Sequence, residues 1–517
     1  MSKMNGAESL VRTFVASGIE VCFANPGTSE LHFVAALEKV GGIRAILCLF
    51  EGVVTGAADG YGRITDRPAV TLLHLGPGLA NGLANLHNAR RAVTPIVNIV
   101  GDHATYHAQY DAPLASDIQG FARPVSGWIH SSSSSKTVAA DGARAVQAAR
   151  TAPGQIATLI LPADTAWCDA DGPAPALPLL GFAPVVSRAI DNAAASLKNG
   201  RKAAIIIRGL ALRKRGLEAA GRIAAKTGAR LFCDTFAPRL ERGAGIVAVE
   251  RIPYFAEQIV DTFKDIGELI LVGAKPPVSF FAYPGKPSWC LPEGCNISYL
   301  THVHEDGVGA LEALASALGA PKKPAQLVAF RRPDLPKGKL DQFSAGQIIA
   351  HYLPENAIIS DEAATSGIGP QIATATVHPH DHLALAGGSL GQGTPVATGA
   401  AVAASSRKVV NLHGDGGAMY TLQSLWTQAR ENLNVTNVIF ANRSYAILNI
   451  ELMRVGAEHP GPKALSMFDL HNPELNWTDL ARGMGVESTR VETSEEFADA
   501  FSSAMKAKNP RLIEVML

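Results

Sequence analysis

Residues 413–445 read HGDGGAMYTLQSLWTQARENLNVTNVIFANRSY, and this stretch decides the fold. An apolar run ends in the tripeptide GDG at 414–416, a helical segment follows, and the next apolar run ends in ANRS at 441–444. Parallel strands point their carboxyl ends at the same edge of a sheet, where open α/β folds bind ligands. The stretch therefore predicts that Asp415 and Asn442 converge on one point.

The residue types at this point favour a metal and phosphate site. A carboxylate from Asp415, an amide oxygen from Asn442 and a backbone carbonyl are hard ligands, suited to Mg²⁺ that completes its shell with diphosphate oxygens and water. Gly414, Gly416 and Gly417 allow a tight turn and let N–H groups and a helix N-terminus approach the phosphates. The alternative is a strand-to-helix turn capped by an Asp, but an Asn at the matching edge of the next strand favours the ion site.

The same alternation of short apolar runs and amphipathic stretches continues along all 517 residues. It is typical of parallel sheets with helical crossovers, and the length exceeds what one hydrophobic core supports. Two Pro-rich passages separate three blocks, so we predict an α/β fold of three doubly wound parallel-sheet domains, at 1–180, 185–325 and 340–517. The predicted strands are 21–25, 45–50, 69–75, 95–102, 202–209, 230–236, 268–275, 296–306, 357–360, 382–388, 408–417, 435–442 and 511–517.

Composition narrows the class of partner. Lys plus Arg and Asp plus Glu each total 46, so the formal net charge is zero. No basic field attracts nucleic acid or an anionic membrane, which favours a small-molecule partner. The sequence begins without an apolar leader and contains no apolar run long enough to span a bilayer, so a cytoplasmic protein is expected. The six cysteines are scattered without a CxxC pair, which is typical of buried thiols.

With its GDG followed about one crossover later by Asn, the chain resembles the thiamine-diphosphate enzymes of the pyruvate-oxidase and decarboxylase superfamily. The resemblance spans nearly the whole chain and implies pyrimidine-binding, central and diphosphate-binding domains, in that order. It implies thiamine diphosphate and Mg²⁺ as cofactors, with Asp415, Asn442 and the carbonyl of Ser444 as metal ligands. The residues expected to contact the cofactor here are Gly414, Asp415, Gly416, Gly417, Asn442, Ser444 and Tyr445.

The segment LFEGVVTGAADGYGR, residues 49–63, is similar to the family segment that carries an activating glutamate, here Glu51. In the family this carboxylate hydrogen-bonds the aminopyrimidine N1′, and the resulting imino nitrogen deprotonates C2 of the thiazolium to an ylid. That role requires a carboxylate partly shielded from water. Glu51 follows an apolar run and precedes small residues, as such shielding requires, whereas a lone Glu is usually a solvated charge.

Three further segments resemble family loops that shape the cofactor pocket. NPGTSEL at 25–31 contributes Pro26 and Gly27, HLGPGLANGLANLHNA at 74–89 contributes Gly76 and Asn81, and LALAGGSLGQGTPVATGAA at 383–401 contributes Leu390. Leu390 would hold the cofactor bent, or alternatively is a core leucine. The resemblance also implies that each site is shared between the first block of one subunit and the third block of its partner, in a homodimer or a homotetramer built from homodimers.

The order Thr28, Glu51, His74 is most similar to benzoylformate decarboxylase, where a Ser, the activating Glu and a His occupy these loops. Thr28 and His74 are therefore candidate catalytic residues with Glu51, and a capping or core histidine is the alternative for His74. Thr28 differs from the family Ser by a methyl group. Phe281 lies near where that family has a second His, and residues 103–107 of the segment GDHATYHAQYD are candidate substitutes: His103, Tyr106 and His107.

The predicted function is decarboxylation of a 2-oxo acid, with carboligation as a related outcome and an acetolactate synthase-like transferase as the main alternative. The segment NWTDLARGMGV at 476–486 and the block order support that alternative, which normally binds FAD in its middle domain. Here the first middle strand runs into IIIRGLALRKRG at 205–216 without a Gly-rich loop, so FAD is not expected. A nicotinamide dehydrogenase lacks its GxGxxG fingerprint here. A non-catalytic regulatory homologue is disfavoured by the presence of Glu51, Asp415 and Asn442.

Overall fold

The first block is a parallel sheet covered by helices on both faces. The computed structural model describes residues 4–456 and 460–517, so residues 1–3 and 457–459 of the predicted first and third blocks lie outside the described residues. The strands are β1 (Val21–Asn25), β2 (Arg44–Leu47), β3 (Ala69–Leu73), β4 (Ile96–Asp102), β5 (Trp128–Ser131) and β6 (Ile156–Pro162), in the order β2-β1-β3-β4-β6-β5. The helices are α1 (Gly6–Ala16), α2 (Leu31–Val40), α3 (Glu51–Thr65), α4 (Leu75–Ala92), α5 (Ile118–Ala122), α6 (Val138–Arg150) and α7 (Ala163–Trp167).

Strand residues of this sheet alternate between two hydrophobic clusters. Cys22 and Ala24 of β1 pack into the cluster under α1, α2 and α6, and Val21 and Phe23 pack into the cluster under α3 and α4. Successive strand side chains point to opposite faces. Because both faces are covered, the strands are apolar almost throughout, as parallel sheets require.

The central block has a smaller sheet, and one of its strands pairs with the sheet of the third block. Its parallel strands are β7 (Ala203–Ile207), β8 (Arg230–Cys233), β10 (Glu250–Arg251), β11 (Glu268–Val272) and β12 (Asn296–Thr301), in the order β10-β8-β7-β11-β12. Its helices are α8 (Ser187–Ser196), α9 (Lys214–Thr227), α10 (Ala256–Phe263) and α11 (Gly307–Ala317). Strand β9 (Leu240–Arg242) leaves this sheet and pairs antiparallel with the third sheet.

The third block is a seven-stranded sheet that is parallel apart from β9. Its strands are β13 (Ile358–Glu362), β14 (His380–Ala384), β15 (Val409–Gly414), β16 (Val435–Ala441), β17 (Glu487–Val491) and β18 (Arg511–Met516), in the order β17-β18-β16-β15-β13-β14-β9. Its helices are α12 (Gln342–Tyr352), α13 (Ile368–Ala373), α14 (Gly393–Ala403), α15 (Asp415–Ala418), α16 (Ser424–Arg430), α17 (Ala446–Arg454), α18 (Pro462–Leu465), α19 (Trp477–Gly483) and α20 (Ser494–Lys506). The chain moves from β13 to β14 on one side and returns to β15 on the other, so the strand order reverses between β13 and β15.

Helices α3 and α14 join the first block to the third at very close range. A Cβ atom on Gly399 would overlap the carbonyl oxygen of Ala57, and one on Gly60 would overlap that of Val396. Beside them, the buried Arg63 forms an ion pair with Asp59 and donates hydrogen bonds to carbonyls of the central and third blocks. This packing fixes the helix that begins at Glu51 against the third sheet.

The predicted fold class, α/β with three doubly wound parallel-sheet domains, is confirmed. The boundaries at 1–180, 185–325 and 340–517 stay predictions. Strand β2 stops at Leu47 rather than at residue 50, because β1, the strand that pairs with it in the described part of the chain, ends at Asn25. Among the described residues, no helix combines the length and the apolar character that crossing a membrane requires.

Candidate functional site

The turns after β15 and β16 lie side by side at the edge of the third sheet. Gly414 at the end of β15 pairs with Phe440 of β16. The Asp415 carboxylate accepts a hydrogen bond from the backbone N–H of Arg443 at 2.8 Å and another from Gly416 at 2.9 Å. The side-chain oxygen of Asn442 accepts the N–H of Ser444 at 3.1 Å. One carboxylate and one amide oxygen thus sit on two turns that touch each other.

The electrostatics of this edge suit a cation. Asp415 is buried, and burial raises the pKa of its carboxyl, while the N–H groups of Arg443 and Gly416 act in the opposite direction. Water no longer stabilises the negative charge of a buried carboxylate, so a positive ion beside it would favour the charged form. In the described part of the chain no three His, Cys, Asp or Glu side chains form a metal-binding group. A metal held here would therefore use the mixed oxygen set of Asp415, Asn442 and a backbone carbonyl, which is the set that Mg²⁺ accepts.

The remaining third-block candidates surround the same turn. The ring of Tyr445 lies against Gly416, where a Cβ atom would contact it, and burial raises the pKa of the Tyr445 hydroxyl, with smaller effects from Tyr420 and Asp415. The hydroxyl of Ser444 accepts a hydrogen bond from Asn449 at 3.0 Å. A Cβ atom on Gly414 would meet open space, whereas Gly417 faces the interior. The open side of the turn is therefore the side that Gly414 faces.

Leu390 lies in the loop between β14 and α14 and is half-buried. The loop is held to the first block by two side chains of α4. Asn85 donates to the carbonyl of Gly391 at 3.2 Å and to that of Gly52 at 2.8 Å, and Asn88 donates to the carbonyl of Ser389 at 2.8 Å. The residue after Glu51 and the residue after Leu390 thus share one hydrogen-bonding partner.

In the first block, Glu51 is the first residue of α3 and is only 9% exposed. Its Oε2 accepts a hydrogen bond from the side-chain amide of Asn81 at 3.0 Å. Gly78 separates it from His74: an added Cβ there would lie 3.3 Å from Glu51 Oε1 and 3.5 Å from His74 Cβ. The predicted activating carboxylate and the predicted active-site imidazole therefore flank the same glycine.

His74 is oriented by Glu30, a residue that the sequence analysis did not single out. Nδ1 of His74 lies 2.9 Å from Oε2 of Glu30, which also accepts the N–H of Gly27 at 2.8 Å. Glu30 is fully buried, and burial raises its pKa, while the Gly27 N–H and His74 act in the opposite direction. A Cβ atom on Gly27 would overlap the His74 ring, so the close approach requires glycine. Thr28 begins the exposed turn that leads to Glu30.

The other first-block and central candidates lie around this edge or beyond it. Pro26 is half-buried after β1, and Gly76 lies in the first turn of α4 against Ser116. His103 follows β4, and its ring is 5.4 Å from that of His107. Its Nε2 is buried and has no hydrogen-bond partner among residues 4–456 and 460–517. Tyr106, between them, is exposed.

Phe281 is exposed and belongs to an aromatic group of the central block, with its ring 5.0 Å from that of Phe280. Phe280 reaches the third block, where it contacts Gly388. The segment that the sequence analysis compared with a second His is therefore close to the loop that carries Leu390.

Within the described chain, no hydrogen bond or ion pair joins Glu51 or His74 to Asp415 or Asn442. A cavity of about 350 Å³ lies elsewhere, between the first and central blocks, and none of the predicted site residues lines it. The described chain thus presents two separate groups of candidate residues at two sheet edges.

Comparison with known proteins gives the same two halves. Residues 4–123 match the family model described as the thiamine pyrophosphate enzyme N-terminal TPP binding domain, and residues 369–515 match the corresponding C-terminal TPP binding domain. The first match contains Glu51 and His74, and the second contains Asp415 and Asn442.

Relatives of known name cover the whole chain. The chain is 52% identical, over 99% of both proteins, to a Mycobacterium tuberculosis protein named "Putative acetolactate synthase large subunit IlvX". It is 27% identical, over 96% of both, to benzoylformate decarboxylase of Pseudomonas aeruginosa. A solved structure of Rhodococcus jostii thiamine diphosphate-dependent 4-hydroxybenzoylformate decarboxylase has the same fold, with a TM-score of 0.85, 23% identity and 99% of both chains covered. The chain therefore belongs to the thiamine-diphosphate-dependent enzymes of the decarboxylase and acetolactate synthase type.

Proposed function

We propose that the protein decarboxylates a 2-oxo acid with thiamine diphosphate and Mg²⁺, in sites that two subunits build together. The observation that carries this proposal is the pairing on one sheet edge of a shielded carboxylate, Glu51, with an imidazole, His74, whose orientation is set by the buried Glu30. A shielded carboxylate and an oriented imidazole beside one glycine are groups that can transfer protons to and from a bound substrate.

The third block would hold the diphosphate and the metal. Asp415 and Asn442 offer oxygen ligands on adjacent turns, and the open face at Gly414 leaves room for phosphate oxygens. We assign the carbonyl of Ser444 as the third protein ligand, and Tyr445, whose ring lies against Gly416, as a cofactor contact. Bound thiamine diphosphate supplies a carbon nucleophile and stores the electron pair released when carbon dioxide leaves.

In the first block, Glu51 and His74 would transfer protons during the reaction. Asn81 occupies Oε2 of Glu51, so Oε1 is the oxygen that can share a proton with a ring nitrogen of the cofactor. We assign a proton to Nδ1 of His74, which then donates to the Glu30 carboxylate 2.9 Å away and leaves Nε2 as the acceptor. Nε2 can accept a proton from a group of the bound substrate and return that same proton to the product. Thr28, exposed beside this pair, would contact the substrate.

Two features support a site shared between subunits. Thr28 and Asn81 are exposed although they flank a buried carboxylate and a half-buried imidazole. Helix α17, which follows the Asn442 turn, also leaves Leu448, Ile450 and Met453 exposed. Apolar surface of this kind usually marks an interface. A partner subunit covering both edges would bring the first block of one chain to the third block of the other, in a homodimer or a homotetramer of such dimers.

A panel of 2-oxo acids tests the proposal. Protein loaded with thiamine diphosphate and Mg²⁺ is expected to release carbon dioxide from an aromatic 2-oxo acid such as benzoylformate and to give the aldehyde. Glu51→Gln is expected to bind the cofactor and lose most turnover. Absence of carbon dioxide release from every 2-oxo acid in the panel would refute the proposal, and unchanged turnover of Glu51→Gln would remove Glu51 from the mechanism.

A second candidate is carboligation of the acetolactate synthase kind. The observation in its favour is the 52% identity to a relative whose name contains that activity. The same panel separates the two candidates: acetolactate formed from pyruvate supports carboligation, and an aldehyde as the sole product supports simple decarboxylation. A regulatory homologue without activity would give neither product.

A further inference from the structure

Glu362 ends strand β13, at the place where the strand order of the third sheet reverses. Its side chain is buried, with 5% of the residue exposed. One carboxylate oxygen accepts the backbone N–H of Gly391 and the other accepts that of Gly393, both at 2.6 Å. Both oxygens of a desolvated carboxylate are therefore used to hold two N–H groups of one loop.

The same carboxylate also touches the strand that leads to Asp415. Nε2 of His413 lies 3.2 Å from Oε1 of Glu362, and Nδ1 of His413 lies 3.0 Å from the hydroxyl of Thr394 in the first turn of α14. His413 immediately precedes the turn of residues 414–417. A Cβ atom on Gly417 would lie 3.2 Å from His413 and 3.3 Å from Glu362, so this turn packs against the side chains of His413 and Glu362.

We propose that Glu362 is a positioning residue that fixes the Leu390 loop and the 414–417 turn relative to each other before any cofactor binds. The inference rests on the proposed thiamine diphosphate site. Hydrogen bonds from backbone N–H groups to a buried carboxylate are stronger than neutral ones. If these bonds are already formed in the free protein, cofactor binding needs no rearrangement of the loop. The observed Kd equals the intrinsic Kd divided by the fraction of molecules whose loop is in the binding conformation, so ordering the loop in advance raises the observed affinity.

The substitution Glu362→Gln keeps the shape and removes the charge. Its amide oxygen can still accept one glycine N–H, but its NH₂ group then faces the other N–H, and two donors cannot bond to each other. We expect an observed affinity for thiamine diphosphate about 10-fold to 100-fold weaker, the range for the loss of one such charge-assisted bond. At saturating cofactor kcat should change much less, because Glu362 does not reach the open face of the turn.

Glu514→Gln is the matched control. Glu514 is also fully buried in the third sheet, on β18, where it accepts from Arg490 at 3.0 Å, and β18 is three strands away from β13. Quenching of tryptophan fluorescence by thiamine diphosphate in Mg²⁺ gives the affinity of each variant, and thermal unfolding of the apo-proteins gives the general loss of stability. Equal weakening of binding by the two variants, or wild-type affinity in Glu362→Gln, would overturn the proposal.

Hydrogen exchange on the wild-type chain gives an answer even if Glu362→Gln fails to fold. The peptide containing Gly391 and Gly393 should be protected in the apo-protein, with little further protection when thiamine diphosphate and Mg²⁺ are added. Fast exchange in the apo-protein and protection only on binding would show that the cofactor orders the loop, and would refute the inference. Failure of the proposed cofactor site has a different signature: the wild-type protein would bind no thiamine diphosphate in the fluorescence titration.

Discussion

Replacing Glu30 by Gln should impair the reaction through His74 while leaving the fold intact. Glu30 is fully buried, and its Oε2 accepts a hydrogen bond from Gly27 at 2.8 Å and lies 2.9 Å from Nδ1 of His74. Because both contacts use this one oxygen, the Gln oxygen can take its place and keep both. The substitution then removes the negative charge and replaces charge-assisted bonds by neutral ones. A hydrogen bond to a charged group contributes about 1.5 to 3 kcal/mol, so kcat/KM should fall about 10-fold to 100-fold.

The assay is the pH dependence of kcat/KM for the best 2-oxo acid in the panel, with the protonation of the His74 ring read from ¹⁵N chemical shifts. Asp141→Asn is the matched control, because Asp141 is a buried carboxylate 3.2 Å from His130 in the same sheet, at its edge strand β5. It should lose stability and keep its pH profile. An unchanged profile in Glu30→Gln, or the same change in Asp141→Asn, would refute the assignment of Glu30 as the residue that orients His74.

Three further predictions concern stability. Thiamine diphosphate with Mg²⁺ at one hundred times its Kd should stabilise the protein by about 2.7 kcal/mol, visible as a higher melting temperature that a chelator abolishes. Gly399→Ala, whose Cβ overlaps the Ala57 carbonyl, should destabilise the protein by about 1 to 3 kcal/mol in thermal unfolding. Gly483→Ala, whose Cβ has no atom of the described residues within 4 Å, should not. Burial, with a smaller contribution from Arg251, lowers the pKa of His382 from 6.5 to about 4. Between those pH values only the unfolded chain takes up a proton, so the free energy of unfolding decreases as the pH is lowered from 6.5 towards 4. His382→Gln should remove about 1.4 kcal/mol per pH unit of that fall, measured by urea unfolding from pH 6.5 to 4.5.

The third-block half-site could be predicted because its geometry is local. Asp415 and Asn442 end two strands joined by a single crossover, and consecutive strands of a parallel sheet present their carboxyl ends together. The structure pairs Gly414 at the end of β15 with Phe440 of β16, and the hydrogen bond from Arg443 to Asp415 joins the two turns. The general form of the fold follows for the same reason, since the apolar runs and their crossovers repeat along the chain.

Glu30 and Glu362 could not be predicted, because their partners are distant in sequence. Each is an acidic residue near a strand end, and from sequence such a residue is usually a solvated charge. Glu30 becomes a positioning group only when β1 and β3 pair and bring His74 to it, and Glu362 only when the loop after β14 folds back over β13. The available signal for Glu30 was its position three residues after Gly27, where it caps the N–H of that glycine. Edge strands such as β17, with the polar sequence ESTRV, were missed because one side of the strand meets solvent.

Substrate choice could not be predicted for a related physical reason. Tyr106 is 62% exposed and Phe281 is 53% exposed, on loops that follow strands of two different sheets. Large aromatic side chains on a binding edge gain their stabilisation when another surface covers them. In the proposed dimer that surface is the partner's, so the pocket that selects the 2-oxo acid side chain exists only between two chains. A single sequence places the candidate carboxylate, imidazole and oxygen ligands at strand ends, but in the proposed dimer the shape of the substrate pocket depends on how two copies of the sheet edges face each other.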